Sequence, residues 1–183
     1  MAKTRVKEYI EANVYDESLN RIRYLFDTFD NIIVDFSAGK DSTVVLNLAI
    51  IVSKEKNKKI TVRFFDEEAI HPPTIEYAKR VSNNPLINFK WYCLEFKHRN
   101  ACSNEEPFWY CWDVDKKDVW VRELPEGAIT KHHKFTKGMS FQEFSSYLPE
   151  RSDGLTAILT GVRTQESFRR MKAVSSKKND NYI

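Results

Sequence analysis

Asn31-Ile32-Ile33-Val34-Asp35-Phe36-Ser37-Ala38-Gly39-Lys40-Asp41-Ser42-Thr43 decides how the rest of the chain is read. Its first half is a short β-branched run, the pattern of a strand buried in a parallel sheet. Its second half is a polar turn, and a helical run from Val44 to Lys56 follows it. Further along, Lys59 to Asp66 (Ile60, Val62, Phe64, Phe65) reads as a second strand, Thr74 to Val81 as a helix and Asn88 to Phe96 as a third strand. The pattern weakens after Val114 and returns at Ser140 to Tyr147, a helix with Ser140 as its N-cap. Thr156 to Thr160 makes a fourth strand and Thr164 to Val174 a last helix. Upstream, Val6, Tyr9, Ile10, Val14, Leu19, Ile22, Leu25, Phe26 and Phe29 recur at three- and four-residue steps. That spacing predicts two amphipathic helices, or one broken near Tyr15-Asp16.

Strands alternating with helices imply right-handed βαβ units, hence an α/β fold with a doubly wound, mostly parallel sheet behind an N-terminal helical segment, residues 1–30. Ligands of such sheets sit beyond the carboxyl ends of the strands, where strand order reverses. Two strands end in glycine-containing polar loops, after Phe36 and after Thr160. If those strands are neighbours, both loops face one crevice.

The chain's 183 residues, 42% hydrophobic and 30% charged, suit one domain with a real core. A net charge of +3 is too mild for direct, strong nucleic-acid binding. Three Cys exclude a disulfide scaffold and fit a reducing, cytoplasmic setting. No run approaches the roughly 18 apolar residues of a membrane span. Cys93, Cys102 and Cys111 are spaced too widely for zinc or iron–sulfur pairs, so neither is expected. His132-His133 are adjacent and would point apart on regular structure. His71, before Pro72-Pro73, either lines the crevice or marks a turn. The aromatic segment Phe108 to Trp112 with Trp120 either stacks a base or forms a satellite core under a long loop.

Between strand and helix, Ser37 to Thr43 would gather backbone N–H groups, a helix N-terminus, two hydroxyls and Lys40 around an anion. The loop lacks the earlier glycine of a Walker A motif and is no Rossmann fingerprint. The plainer alternative is a polar turn with a Ser or Asp cap. The second segment is Gly161-Val162-Arg163-Thr164-Gln165-Glu166-Ser167-Phe168-Arg169-Arg170. Gly161 permits close backbone approach, and Arg163, Arg169 and Arg170 can grip phosphate or sulfate oxygens. Glu166 would orient an Arg or reach a bound Mg2+ through water; otherwise the stretch is a solvated helix face with Glu–Arg pairs.

Together these motifs resemble the phosphoadenosine phosphosulfate (PAPS) reductase family of the PP-loop, or N-type ATP pyrophosphatase, superfamily. The family carries Ser-Gly-Gly-Lys-Asp-Ser after the first strand and a later Gly-x-Arg-x-x-Glu-Ser-x-x-Arg. Ala38 stands where the family has Gly, a methyl accommodated only at ordinary dihedrals. The resemblance implies an adenine nucleotide α-hydrolase-like fold over residues 31–174, with 175–183 a basic tail. It implies ATP or PAPS as ligand, with Mg2+, for nucleotidyl or sulfur transfer.

On that resemblance the phosphate cradle is Ser37, Ala38, Gly39, Lys40, Asp41, Ser42 and Thr43. Asp66, in Phe65-Asp66-Glu67-Glu68, sits by the nucleotide, and Gly161, Arg163, Glu166 and Arg170 close the opposite side. Lys40, Asp41 and Arg163 take the catalytic roles, and Asp41 and Asp66 would hold the Mg2+. Reductases of the family use a Cys in a C-terminal Glu-Cys-Gly-x-His segment; no Cys follows Cys111, so sulfonucleotide reduction by this chain alone is not expected. Trp91-Tyr92-Cys93-Leu94, Cys111 to Arg122 and Gly138-Met139-Ser140-Phe141 are similar to a phage and prophage coactivator subgroup. That similarity implies an alternative, a nucleotide-dependent regulator with a ParB-like or DNA-associated protein partner. A homo-oligomer is left open.

Overall fold

The computed structural model describes residues 11–148 and 154–174. Helix α1, Val14–Thr28, buries Leu19, Ile22, Leu25 and Phe26, and the Asn13 side chain caps it by accepting from the Asp16 amide at 2.9 Å. The helix therefore starts at Val14 and runs unbroken through Tyr15-Asp16, against the expected interruption there. The part of the helical pattern that falls on residues 1–10, and the basic tail from 175, lie outside the described residues.

Strand β1, Asn31–Asp35, is followed by α2, Lys40–Lys56, and β2, Ile60–Phe65. Next come α3, Pro72–Ser82, and β3, Ile87–Tyr92. Helix α2 begins four residues before its apolar periodicity does, because Lys40 to Thr43 make up its first, largely polar turn. Helix α3 likewise starts on Pro72-Pro73, where a missing N–H costs nothing. The third strand stops at Tyr92, short of Phe96. There the chain leaves the sheet: Cys93 N–H donates to the Ile129 carbonyl at 3.0 Å, while Cys93, Leu94 and Phe96 stay buried.

A two-stranded antiparallel hairpin follows, β4 (Lys97–Arg99) with β5 (Phe108–Tyr110), then a 3-10 helix at Val114–Val119. Helix α4, Phe141–Ser146, is capped by Ser140, whose Oγ accepts from the Glu143 amide at 3.1 Å. Strand β6, Thr156–Thr160, completes the sheet. The expected last helix is divided: a 3-10 turn at Thr164–Glu166, an extended Ser167 (φ −164°), then α5, Phe168–Val174. Ser167 Oγ accepts from the Arg170 amide at 3.2 Å and so marks a fresh helix start.

The four-stranded sheet has the order β3-β2-β1-β6 and is parallel throughout. Neighbouring residues of β2 show that both faces are covered, since Phe64 and Phe65 point to opposite sides. Phe64 meets Phe36 (6.2 Å between ring centres), which meets Tyr77 of α3 (5.9 Å), whereas Phe65 meets Phe144 of α4 (6.3 Å). Helices α1 and α2 are joined by a two-pronged Arg23–Glu55 ion pair at 2.8 and 2.9 Å. Among the described residues no helix is long and apolar enough to cross a membrane.

Strand order turns at β1, with β2 on one side and β6 on the other. Asp35 pairs in register with Thr160, so the loops after β1 and β6 leave the sheet side by side. This is the topological switch point at which open α/β sheets bind ligands.

Candidate functional site

The loop after β1 folds around two hydroxyls. Ser42 Oγ accepts from the Ser37 amide at 3.2 Å, lies 3.1 Å from Ser37 Oγ, and donates to the Gly39 carbonyl at 3.0 Å. The Gly39 amide donates to Ser37 Oγ at 3.4 Å. Gly39 is the extended N-cap of α2 (φ −81°, ψ 166°), and the helix proper begins at Lys40, with Thr43 N–H donating to the Gly39 carbonyl at 3.0 Å. The first amides of α2 are those a helix leaves without internal acceptors, and their positive dipole end opens toward the loop.

Ala38 departs from expectation. Its φ is +58°, the left-handed region that favours glycine, so the methyl is held at dihedrals that are not ordinary ones. Replacing Ala38 by Gly is expected to leave stability unchanged or raise it by up to about 1 kcal/mol, read as a urea midpoint. An Ala to Gly change at an ordinary helical position would lose about that amount instead.

The loop after β6 closes onto this one. A Cβ on Gly161 would lie 2.7 Å from the Asp41 carbonyl carbon and 2.7 Å from the Ser42 nitrogen, so the two backbones touch with no room for a side chain. Arg163 Nε stands 3.6 Å from Asp41 Oδ1, and its Nη2 3.5 Å from Glu166 Oε1. Glu166 also pairs with Arg170. Lys40 Nζ reaches Asp41 Oδ2 at 2.7 Å, and this contact, with Arg163 and Arg170 behind it, holds the Asp41 carboxyl below its usual range. Ser37, Gly39, Lys40, Asp41, Ser42, Gly161, Arg163, Glu166 and Arg170 are thus brought together, with Thr43 in the same helical turn. Lys40 and Arg163 remain largely exposed to solvent.

Asp66 is placed elsewhere. It is fully buried, accepting from Trp91 Nε1 at 2.6 Å and from the Glu68 amide at 2.9 Å, and it pairs with Arg122. Cys93 Sγ donates to the same carboxylate at 3.7 Å. The neighbouring Glu68 is also turned inward, accepting from the amides of Trp112 (2.6 Å) and Val121 (3.1 Å). A sealed carboxylate with four donors does not fit a nucleotide or a cation. The described residues hold no group of three His, Cys, Asp or Glu that could bind a metal, and Asp41 and Asp66 do not form one. Burial raises the Cys93 thiol far above its ordinary value and pushes Cys111 up to about 12.

His71 is the exposed N-terminal cap of α3, beside Pro72 and Arg122 rather than in the crevice. The His132 and His133 rings, expected to diverge, are stacked at 4.6 Å, because they lie in a turn rather than on regular structure. The aromatic segment is largely packed, with Cys111 and Trp112 buried and Trp120 edge-on to Trp112 at 5.2 Å.

A cleft of about 410 Å³ adjoins the first loop, lined by Asp35, Phe36, Ser37, Phe65, Glu67, Phe141, Gln142 and Ser145. Asp35 ends β1 and pairs across the ladder with Arg63. Arg63 is 1% exposed; its Nε donates to Asp35 Oδ1 at 2.7 Å and its Nη2 to Ser145 Oγ at 2.9 Å, tying α4 to the sheet. Burial outweighs this partner and holds the Asp35 carboxyl above its usual range. Asp35, Arg63, Gln142 and Ser145 escaped the reading of the sequence. The one available signal was a charged residue interrupting each of two apolar runs, Asp35 between Val34 and Phe36 and Arg63 between Val62 and Phe64.

Residues 31–182 match the phosphoadenosine phosphosulfate reductase domain. An uncharacterized protein of Escherichia coli (strain K12), YbdN, is 32% identical over 174 residues, which cover 90% of this chain. The chain spans 42% of that relative's length. Parallel strands in the order 3-2-1-6, a Ser-x-Gly-Lys-Asp-Ser loop at the switch point and a Gly-x-Arg lip in contact with it agree with that match, and the chain belongs to the phosphoadenosine phosphosulfate reductase domain family.

Proposed function

We propose that the crevice between the β1 and β6 loops binds an adenine nucleotide, ATP or PAPS, for nucleotidyl or sulfur transfer. The observation that carries this reading is the contact of Gly161 with the first turn of α2, which sets Lys40 and Arg163 on the two oxygens of one carboxylate, Asp41, at the mouth of the loop. The α2 amides and Ser37 hold the 5′-phosphates. Lys40 exchanges Asp41 for a phosphate oxygen, while Glu166 keeps Arg163 and Arg170 aimed across the gap. The loop amides and hydroxyls are in place before the ligand arrives and orient the phosphates, while Lys40 and the arginines offset charge that builds as a bond to phosphorus breaks. Asp41 holds the two flanking cations in place, and no step is assigned to a protein-held metal.

A thermal-shift panel of ATP, AMP, PAPS and adenosine 3′,5′-bisphosphate tests this. At about a hundredfold excess over Kd, linkage supplies about 2.7 kcal/mol, a rise of roughly 5–10 °C for a chain of this size. Lys40→Ala and Arg163→Ala are each expected to lose at least half of that rise. A wild type that no nucleotide stabilises, or variants that respond as it does, would sink the assignment. Pyrophosphate release from ATP separates an enzyme from a nucleotide-dependent regulator, which would bind without turnover.

A further inference from the structure

We infer that the cleft beside the cradle selects nucleotides with a free 3′-hydroxyl and rejects 3′-phosphorylated ones, with Asp35 and Glu67 as the discriminating residues. The inference rests on the nucleotide reading above and sharpens it toward ATP over PAPS.

Charge is segregated along the crevice. Lys40, Arg163 and Arg170 gather at the loops, whereas the ionisable residues lining the adjoining cleft are Asp35 and Glu67, both acidic. Phe65 and Phe141, whose rings lie 6.4 Å apart, supply apolar walls suited to a flat heterocycle. Ser37 belongs to both the cradle and the cleft, so a nucleoside whose 5′-phosphate occupies the cradle extends past it into the acidic part.

Arg63 does not supply the missing positive charge. It is sealed behind Asp35, with Nε given to Asp35 Oδ1, Nη2 to Ser145 and Nη1 directed at the Leu148 carbonyl at 3.5 Å. Both Arg63 contacts to Asp35 fall on Oδ1, so Oδ2 is the oxygen available to a ribose hydroxyl. A hydroxyl donates to a carboxylate; a phosphate dianion has no proton to give and is repelled at short range in a partly desolvated cleft.

Calorimetric titration of the full chain with AMP and with adenosine 3′,5′-bisphosphate isolates the 3′-phosphate, since the two ligands differ in that group alone. AMP is expected to bind at least tenfold more tightly at 0.05 M salt, and the gap to narrow at 0.3 M as screening grows. Asp35→Asn with Glu67→Gln should bring the two within threefold. Because Asp35→Asn leaves Arg63 without its anion, Glu67→Lys serves as an independent variant, and it should shift the preference toward the bisphosphate. Equal or tighter wild-type binding of the bisphosphate overturns the inference while leaving the nucleotide site intact. So does an unchanged AMP preference in Glu67→Lys. Binding of neither ligand by the wild type overturns the nucleotide reading, and this inference with it.

Discussion

Gly161→Ala is expected to cost about 1–3 kcal/mol of stability and to weaken nucleotide binding more than tenfold. The added methyl would sit 2.7 Å from two backbone atoms, the Asp41 carbonyl carbon and the Ser42 nitrogen, and neither can swing aside as a side-chain tip would. Relief comes only by parting the β6 loop from α2, which moves Arg163 away from Lys40 and tilts the first turn of the helix. Gly127→Ala provides the contrast. Its φ is +71° with nothing within 4 Å of a Cβ, so it is strained by conformation alone. That variant should lose about 1 kcal/mol and keep the full thermal response to nucleotide. Urea melts paired with calorimetry distinguish the two, and a Gly161→Ala protein that binds as the wild type does would show that the lips need not touch.

The second large effect belongs to Arg122. Its guanidinium is the counter-charge of the fully buried Asp66, donates through Nε to the Glu68 carbonyl at 3.1 Å, and lies over the Trp112 ring at 4.7 Å. Arg122→Ala leaves a carboxylate in the core with its hydrogen bonds but without its cation. Removing one member of such a pair costs about 3–5 kcal/mol, roughly 6–20 °C in Tm for this size of chain. Trp91 and Trp112 both donate into the same cluster, at 2.6 and 2.8 Å, so their fluorescence reports its loss directly. Substituting Asp66 as well by Asn should recover part of the deficit, since the orphaned charge then disappears. If Arg122→Ala melts within a degree or two of wild type, the cluster contributes little.

Those two residues show where sequence was sufficient and where it was not. Strand β6 and the core of β1 follow from β-branched runs with turn chemistry after them, and Gly161 and Lys40 could be singled out because a few local residue types carry their geometry. Asp66 was identifiable as an acid after a strand, yet its fate depends on Arg122 and Trp91, which are distant in the chain and carry no local mark. Its neighbour Glu67 faces the cleft, an alternation that the run Asp66-Glu67-Glu68 does not disclose. The β4–β5 hairpin was unreadable for a different reason: strands of three residues are too short to establish a period. At Cys93 burial persists while the β2–β3 ladder ends, so apolar patterning alone carries the strand too far.

The pairing of β1 with β6 also orders events in time. Asp30 accepts from the Leu155 amide at 2.8 Å across 125 residues of chain, and everything between, from α2 to α4, is made before that seam can close. Closing so long a loop loses chain entropy before any contact rewards it, which makes it a late step in folding. The crevice is therefore a product of the finished sheet. A ligand bound there would grip only molecules that have already folded, so its binding energy would be felt as slower unfolding rather than faster folding.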